Sequence, residues 1–134
     1  MQLSYQSQVK RNQLTYLTIA MTHSVSDSFP THRTTSFSTN DDVAISWIEI
    51  GDYLRYAHHV SWNGYSPDGK LFKKNTHTTS VPDVGYYYEW HRTGSPLPIS
   101  GYNPASMPGL WKVEVYIYGD YWLIEWFSIR SDNH

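Results

Sequence analysis

From Leu14 onward the chain is a succession of short apolar–polar alternating runs separated by turn-forming residues, and period-two alternation is the signature of half-buried strands. Leu14 to Val25 is rich in Thr, Ile and Tyr and reads as a first strand. Ser26 to Thr35 reads as a turn region carrying Asp27, Pro30 and His32. Phe37 opens a further segment, closed by Thr39-Asn40-Asp41-Asp42. Val43 to Ile50 is strongly β-branched and stops at Gly51-Asp52. Tyr53 to Tyr65 places Tyr56, Val60 and Trp62 at alternate positions, with one skip at His58. In Pro67-Asp68-Gly69 the proline presets φ for a turn and the glycine tolerates positive φ.

Lys70 to Thr78 is short and polar, as expected of an edge strand. Val84 to Arg92 follows the break at Pro82-Asp83 and carries Tyr86, Tyr88 and Trp90 on one face. Gly94 to Gly109 contains Pro96, Pro98, Pro104 and Pro108 and is expected to be a long loop, since proline removes ladder donors from a central strand. Leu110 to Tyr118, a turn at Gly119-Asp120 and Tyr121 to Ile129 form the clearest hairpin. No segment has a persuasive helical period. About seven strands with turns between them predict an all-β antiparallel sandwich.

The 134 residues suit one domain. Residues 1–13, with Gln2, Gln6, Gln8 and Gln13 among charges, are expected to be an N-terminal arm or linker. Residues 14–130 form the sandwich, and 131–134 form a C-terminal tail. The first twelve residues lack the apolar core of a signal peptide, and no stretch approaches the roughly 20 apolar residues of a membrane-spanning helix.

Charge and composition narrow the function classes. The formal net charge is -2, so no basic footprint points to nucleic acid. With no cysteine, disulfides, thiolate zinc sites and a cysteine nucleophile are excluded. Aromatic residues equal charged ones at 16% each. Low charge with abundant Tyr, Trp, Ser and Thr leads to the expectation of an extracellular or cell-surface module.

The run Pro108-Gly109-Leu110-Trp111-Lys112-Val113-Glu114-Val115-Tyr116, then Gly119, then Phe127-Ser128-Ile129, resembles the closing hairpin of bacterial and archaeal immunoglobulin-like modules. Phe37, Asp41/Asp42, Ala44 and Trp47, and Trp62 with Ser66-Pro67-Asp68-Gly69-Lys70-Leu71, resemble the middle of the same modules. The resemblance spans Leu14 to Ile129. It implies an immunoglobulin-like sandwich and a non-catalytic part of an exported or surface protein. The chain departs from the pattern in having no inter-sheet disulfide and a long Pro-rich stretch before the last hairpin.

The last hairpin admits two registers. A two-residue turn puts Val113, Val115 and Ile117 on one face with Trp122, Ile124 and Trp126. A three-residue turn with a Gly bulge turns Tyr121, Leu123, Phe127 and Ile129 inward instead. A one-residue slip exchanges the faces of a strand. The second register places Glu125 inward, which is costly without a bulge, but it matches the Phe-x-Ile ending of the resembled modules. It would leave Tyr116, Tyr118, Trp122 and Trp126 as an exposed aromatic band. Such a band serves a protein partner, self-association or a glycan, and otherwise fills the core and rim of a small sandwich.

Other chemistry is sparse. His58 and His59 are adjacent and point to opposite faces of a strand. His77 and His91 could approach across strands, without any spacing that forces it, and zinc needs three or four converging ligands. Most aspartates sit at turns, where they cap backbone N–H groups. No nucleophile elbow, P-loop, zincin or dinucleotide motif occurs. Glu114 and Glu125 are the pair that a hairpin could bring within the separation of a glycosidase dyad. The expectation is therefore a non-enzyme without metal or cofactor, acting as a structural or interaction module. The alternatives are a carbohydrate-binding module and a self-assembling subunit with a strand-donating N-terminal arm.

Overall fold

The computed structural model describes residues 14–27, 29–53, 59–78, 88–117 and 119–131. The expected arm at 1–13 and the tail beyond 131 lie outside the described residues. Nine strands are described: β1 (Leu14–Ser26), β2 (Phe29–Arg33), β3 (Ser36–Ser38), β4 (Val43–Tyr53), β5 (His59–Tyr65), β6 (Leu71–Thr78), β7 (Tyr88–Pro98), β8 (Gly109–Ile117) and β9 (Asp120–Arg130). They form a four-stranded sheet in the order β2-β1-β4-β7 and a five-stranded sheet in the order β3-β9-β8-β5-β6. All pairings are antiparallel except β3 with β9. Neighbouring β9, β8 and β5 in one sheet, facing β1, β4 and β7 in the other, make this an immunoglobulin-like β-sandwich.

Nine strands replace the expected seven for two reasons. The supposed turn region after Val25 is itself a hairpin arm, β2, held by Ser24–Thr31 and Ser26–Phe29 pairing. Phe37 occupies a separate short strand, β3, because its fully buried ring anchors that segment to β9. The Pro-rich stretch also differs from expectation. Gly94 to Pro98 continues β7 rather than forming a loop. Pro96 and Pro98 are tolerated there because β7 is an edge strand among the described residues, with no described neighbour to require their missing N–H. Only beyond it does the chain leave the sheet, through a short 3-10 turn at Asn103–Ser106.

The core lies where the inward rows meet. Ile48 and Ile50 on β4 face Val60 and Trp62 on β5 and Val115 and Ile117 on β8, all essentially without exposure. An aromatic chain crosses one end of the sandwich. Phe37 meets Phe127 edge-on at 5.8 Å, Phe127 stacks on Trp111 at 6.1 Å, and Trp111 meets Phe72 edge-on at 5.3 Å. These rings come from β3, β9, β8 and β6, so one cluster ties four strands of one sheet together.

The two outer faces differ. Phe29 pairs with Ser26 at one end of β1, whereas Arg92 is opposite Glu49, which pairs with Thr18 eight residues away. A flat strand of that length covers roughly 26 Å. The Arg92 guanidinium nevertheless lies 4.8 Å from the Phe29 ring centroid. The β1–β2 tip therefore curls back across the outer face of the first sheet. Consistent with this cover, Thr22 belongs to the outward row yet is 0% exposed, with its hydroxyl bonded to the carbonyls of Ser24 and Thr31. The outer face of the second sheet carries exposed rings instead.

Candidate functional site

The outer face of the second sheet is built by three strands in register. Trp111, Val113, Val115 and Ile117 of β8 point into the core, so Leu110, Lys112, Glu114 and Tyr116 point out. On β5 the buried Val60 and Trp62 alternate with the outward Ser61, Asn63 and Tyr65. The cross-strand rows are then Tyr65–Lys112–Trp126, Asn63–Glu114–Ile124 and Ser61–Tyr116–Tyr121.

The register of β9 combines both sequence alternatives. Ile117 pairs with Asp120, so the turn is the two-residue one, and Gly119 takes φ +85°. Val115 then pairs with Leu123 while Tyr116 pairs with Tyr121, which makes Trp122 the extra residue of a bulge. Beyond the bulge the odd residues Leu123, Glu125, Phe127 and Ile129 share the inward row of β8. Before it the phase is reversed, and Tyr121 faces out, 48% exposed, instead of inward. Glu125 is half-buried and makes no hydrogen bond or ion pair among the described residues.

The four expected band residues separate accordingly. Tyr116 lies on the outward face, half-buried. Trp126 also faces outward and is 47% exposed. Trp122, at the bulge, packs against the core rather than standing in the outward row. Tyr118 lies outside the described residues. Two residues that sequence reasoning did not assign to the face, Tyr65 and Tyr121, belong to it. The Tyr65 signal was legible, since it falls in the opposite phase to Val60 and Trp62; Tyr121 required the position of the bulge.

The side chains on this face are held by one another. Lys112 Nζ lies 4.7 Å from the Tyr65 ring centroid and 5.6 Å from that of Trp126, a cation between two π faces. The same ammonium is 3.5 Å from Glu114 Oε2. Tyr116 Oη donates to Glu114 Oε1 at 2.8 Å and its ring meets Tyr121 edge-on at 5.9 Å. The bond to Glu114, with desolvation second, pushes the Tyr116 phenol up to about 12. From Tyr65 to Tyr121 the groups thus form one connected, charge-neutral aromatic surface. The Trp126 and Tyr121 rows lie four β8 residues apart, roughly 14 Å.

Other candidates do not converge. Glu114 pairs with Ile124 and Glu125 with Val113, so the two carboxylates sit on opposite faces of the sheet. The glycosidase-type pair that the hairpin suggested is not formed. His77 lies on β6 opposite Val60, and His91 on β7 opposite Ile50, in different sheets. Among the described residues no group of three or more His, Asp or Glu is placed to hold a metal. Two of the turn aspartates act as caps. Asp41 Oδ2 accepts from Ser38 N at 2.7 Å. Asp68 Oδ1 accepts from the Ser66 hydroxyl and from Lys70 N, which holds its carboxyl below the ordinary range. No described helix is long and apolar enough to cross a membrane.

No protein-family model matches the chain, and no curated protein matches it. Among solved structures it is similar to an immunoglobulin-like protein from Pseudomonas aeruginosa, at 11% identity and TM-score 0.44, over 86% of this chain and 92% of that one. It is similar to an alkylpurine DNA glycosylase from Pseudomonas fluorescens bound to DNA with an abasic site analog, at 10% identity and TM-score 0.51, over 84% of this chain and 30% of that one. It is also similar to β-glucosidase 3B from Thermotoga neapolitana in complex with glucose, at 19% identity and TM-score 0.44, over 84% of this chain and 16% of that one. At these identities the likeness is one of fold, and fold does not carry activity.

Proposed function

We propose that this chain is a non-catalytic interaction module of an exported or surface-associated assembly, and that the outer face of the second sheet is its contact surface for a protein partner. The observation that carries the reading is the connected row Tyr65–Lys112–Trp126, continued through Glu114 to Tyr116 and Tyr121. Its rings are pre-ordered by mutual contact, so little side-chain entropy is lost on docking. Tyr and Trp are enriched among residues that dominate protein interfaces. Leu110 extends the apolar area of the face at 55% exposure. An open sheet face suits a macromolecular partner better than a small substrate, which needs a concave site.

A photo-cross-linking amino acid placed at Trp126 in cells of the native host tests this directly. Adducts to one discrete protein are expected, absent when the same group replaces Ser100, exposed in the turn after β7, and lost with Tyr121→Ser. Adducts to a second copy of this chain would identify self-association through the same face. No adduct at position 126 beyond the Ser100 background, together with retention on immobilised glycans that Trp126→Ala abolishes, would replace the protein reading with the carbohydrate one. No adduct and no glycan retention would reject the face. Surface proteolysis of intact cells separately tests the exported location; full protection would reject it.

A further inference from the structure

On the inward row of the first sheet, Ser46 on β4 lies directly opposite Ser95 on β7. Both are buried, with 3% and 9% of their surface exposed. Across the gap, Trp62 of β5 points inward and is 1% exposed. Ser95 Oγ accepts a bond from Asn75 Nδ2 at 3.2 Å. Ser46 Oγ and Trp62 Nε1 have no hydrogen-bond partner among the described residues. Buried polar groups are almost always satisfied, and an exception asks for a specific cause.

All three residues line one cavity of about 30 Å3 between the sheets. The remaining wall is largely apolar, including Met21, Phe72 and Trp111. A water molecule needs roughly 10–15 Å3 measured this way and two to four polar partners. The volume therefore has room for two or three waters and is too small for an organic ligand. The partners also match water. The indole N–H can only donate, while the serine hydroxyls can both donate and accept. An occupant must accept from one sheet and bond hydroxyls on the other, which an apolar gas cannot do.

We infer that a structural water is bound here, accepting from Trp62 Nε1–H and donating to Ser46 Oγ, with the Ser95 hydroxyl beside it. The site lies where the facing edges β6 and β7 close the sandwich. Two polar ties already cross that seam: Asn75 to Ser95, and Lys73 Nζ to the Pro96 carbonyl. The water is a third tie, linking β5 to β4. This inference rests on the interior and is independent of the proposed contact face.

Water-selective NMR on the full 15N-labelled chain tests it. A cross-peak is expected between the Trp62 indole proton and a water resident for longer than nanoseconds, with Trp62→Phe assigning the signal. Relaxation dispersion of 17O-labelled water should count one fewer long-lived water in Ser46→Val. The same substitution strands the indole N–H and should lower the urea midpoint. A dry cavity gives the opposite set: no cross-peak, an unchanged 17O count, and a midpoint raised because valine fills the void and removes a buried hydroxyl. That set, or a missing cross-peak in the unsubstituted chain alone, overturns the inference.

Discussion

Gly94 on β7 sits directly opposite Trp47 on β4, and the indole occupies the space that a side chain at position 94 would need. A Cβ built there would lie 2.6 Å from Trp47 Cε3 and 3.1 Å from the Ser46 carbonyl oxygen. The glycine therefore serves close approach: aromatic cover over a strand glycine stabilises a position that otherwise weakens a sheet. Gly94→Ala is expected to destabilise by about 1–3 kcal/mol through overpacking. Urea unfolding of the two chains measures it. An unchanged midpoint would mean that Trp47 can swing away at no cost.

Trp111 joins packing to a directed bond. It is fully buried between Phe127 and Phe72, and its Nε1 donates to the Met107 carbonyl at 3.0 Å. That bond pins the chain just before β8 begins. Trp111→Phe should cost about 1–3 kcal/mol, because a carbonyl loses its donor, and Trp111→Ala about 3–5 kcal/mol. Equal losses for the two substitutions would show that packing contributes nothing beyond the hydrogen bond.

The Tyr116–Glu114 pair sets an alkaline limit. The folded phenol is pushed up to about 12 by its bond to the Glu114 carboxylate, whereas an unfolded tyrosine titrates near ~10. The folded state thus holds a proton that the unfolded state releases. The stabilising contribution is complete below about pH 10 and fades as pH rises toward the folded value. Absorbance at a tyrosinate wavelength should show a late-titrating tyrosine that Glu114→Gln moves back toward the ordinary range. A titration unchanged by that substitution would remove Glu114 as the cause.

Trp122 is a single inserted residue between two stretches of regular pairing. Deleting it leaves Val115–Leu123 and Tyr116–Tyr121 as consecutive pairs, so the hairpin should keep both its faces. The loss is the packing of a partly buried indole against the core, roughly 1–2 kcal/mol. Deleting Ile124 instead keeps Phe127 opposite Trp111 but brings Trp122 opposite Val115 and Leu123 opposite Glu114, exchanging their faces, so it should cost more stability than deleting Trp122. Amide exchange across β8 and β9 distinguishes the outcomes; equal protection in both deletions would disprove the bulge.

Much of this was readable from local pattern. Val113, Val115 and Ile117 alternate with charged or aromatic neighbours, and Pro67-Asp68-Gly69 has the chemistry of its turn. Both depend only on neighbours in sequence. The phase of β9 was readable only in part: Phe127 and Ile129 were placed inward by their likeness to a known ending, but Tyr121 was placed with them. Its true direction depends on where the extra residue falls, and bulges carry no composition of their own. Pro96 and Pro98 misled for a related reason. Proline forbids a central strand but not an edge, and edge or centre is a property of the assembled sheet.

By itself the sequence determined that the chain would build layers of short strands without disulfides, and which β8 residues would face the core, because side-chain direction along a strand follows from alternation alone. Only the tertiary structure decided which surface stays open, since a hairpin tip covers one outer face and not the other. It also decided which rings share that surface, which carboxylates stay apart, and where two buried polar groups meet across the sheets. Those outcomes depend on strand order and on one bulge, which arise from contacts between residues far apart in the chain and leave no local signature.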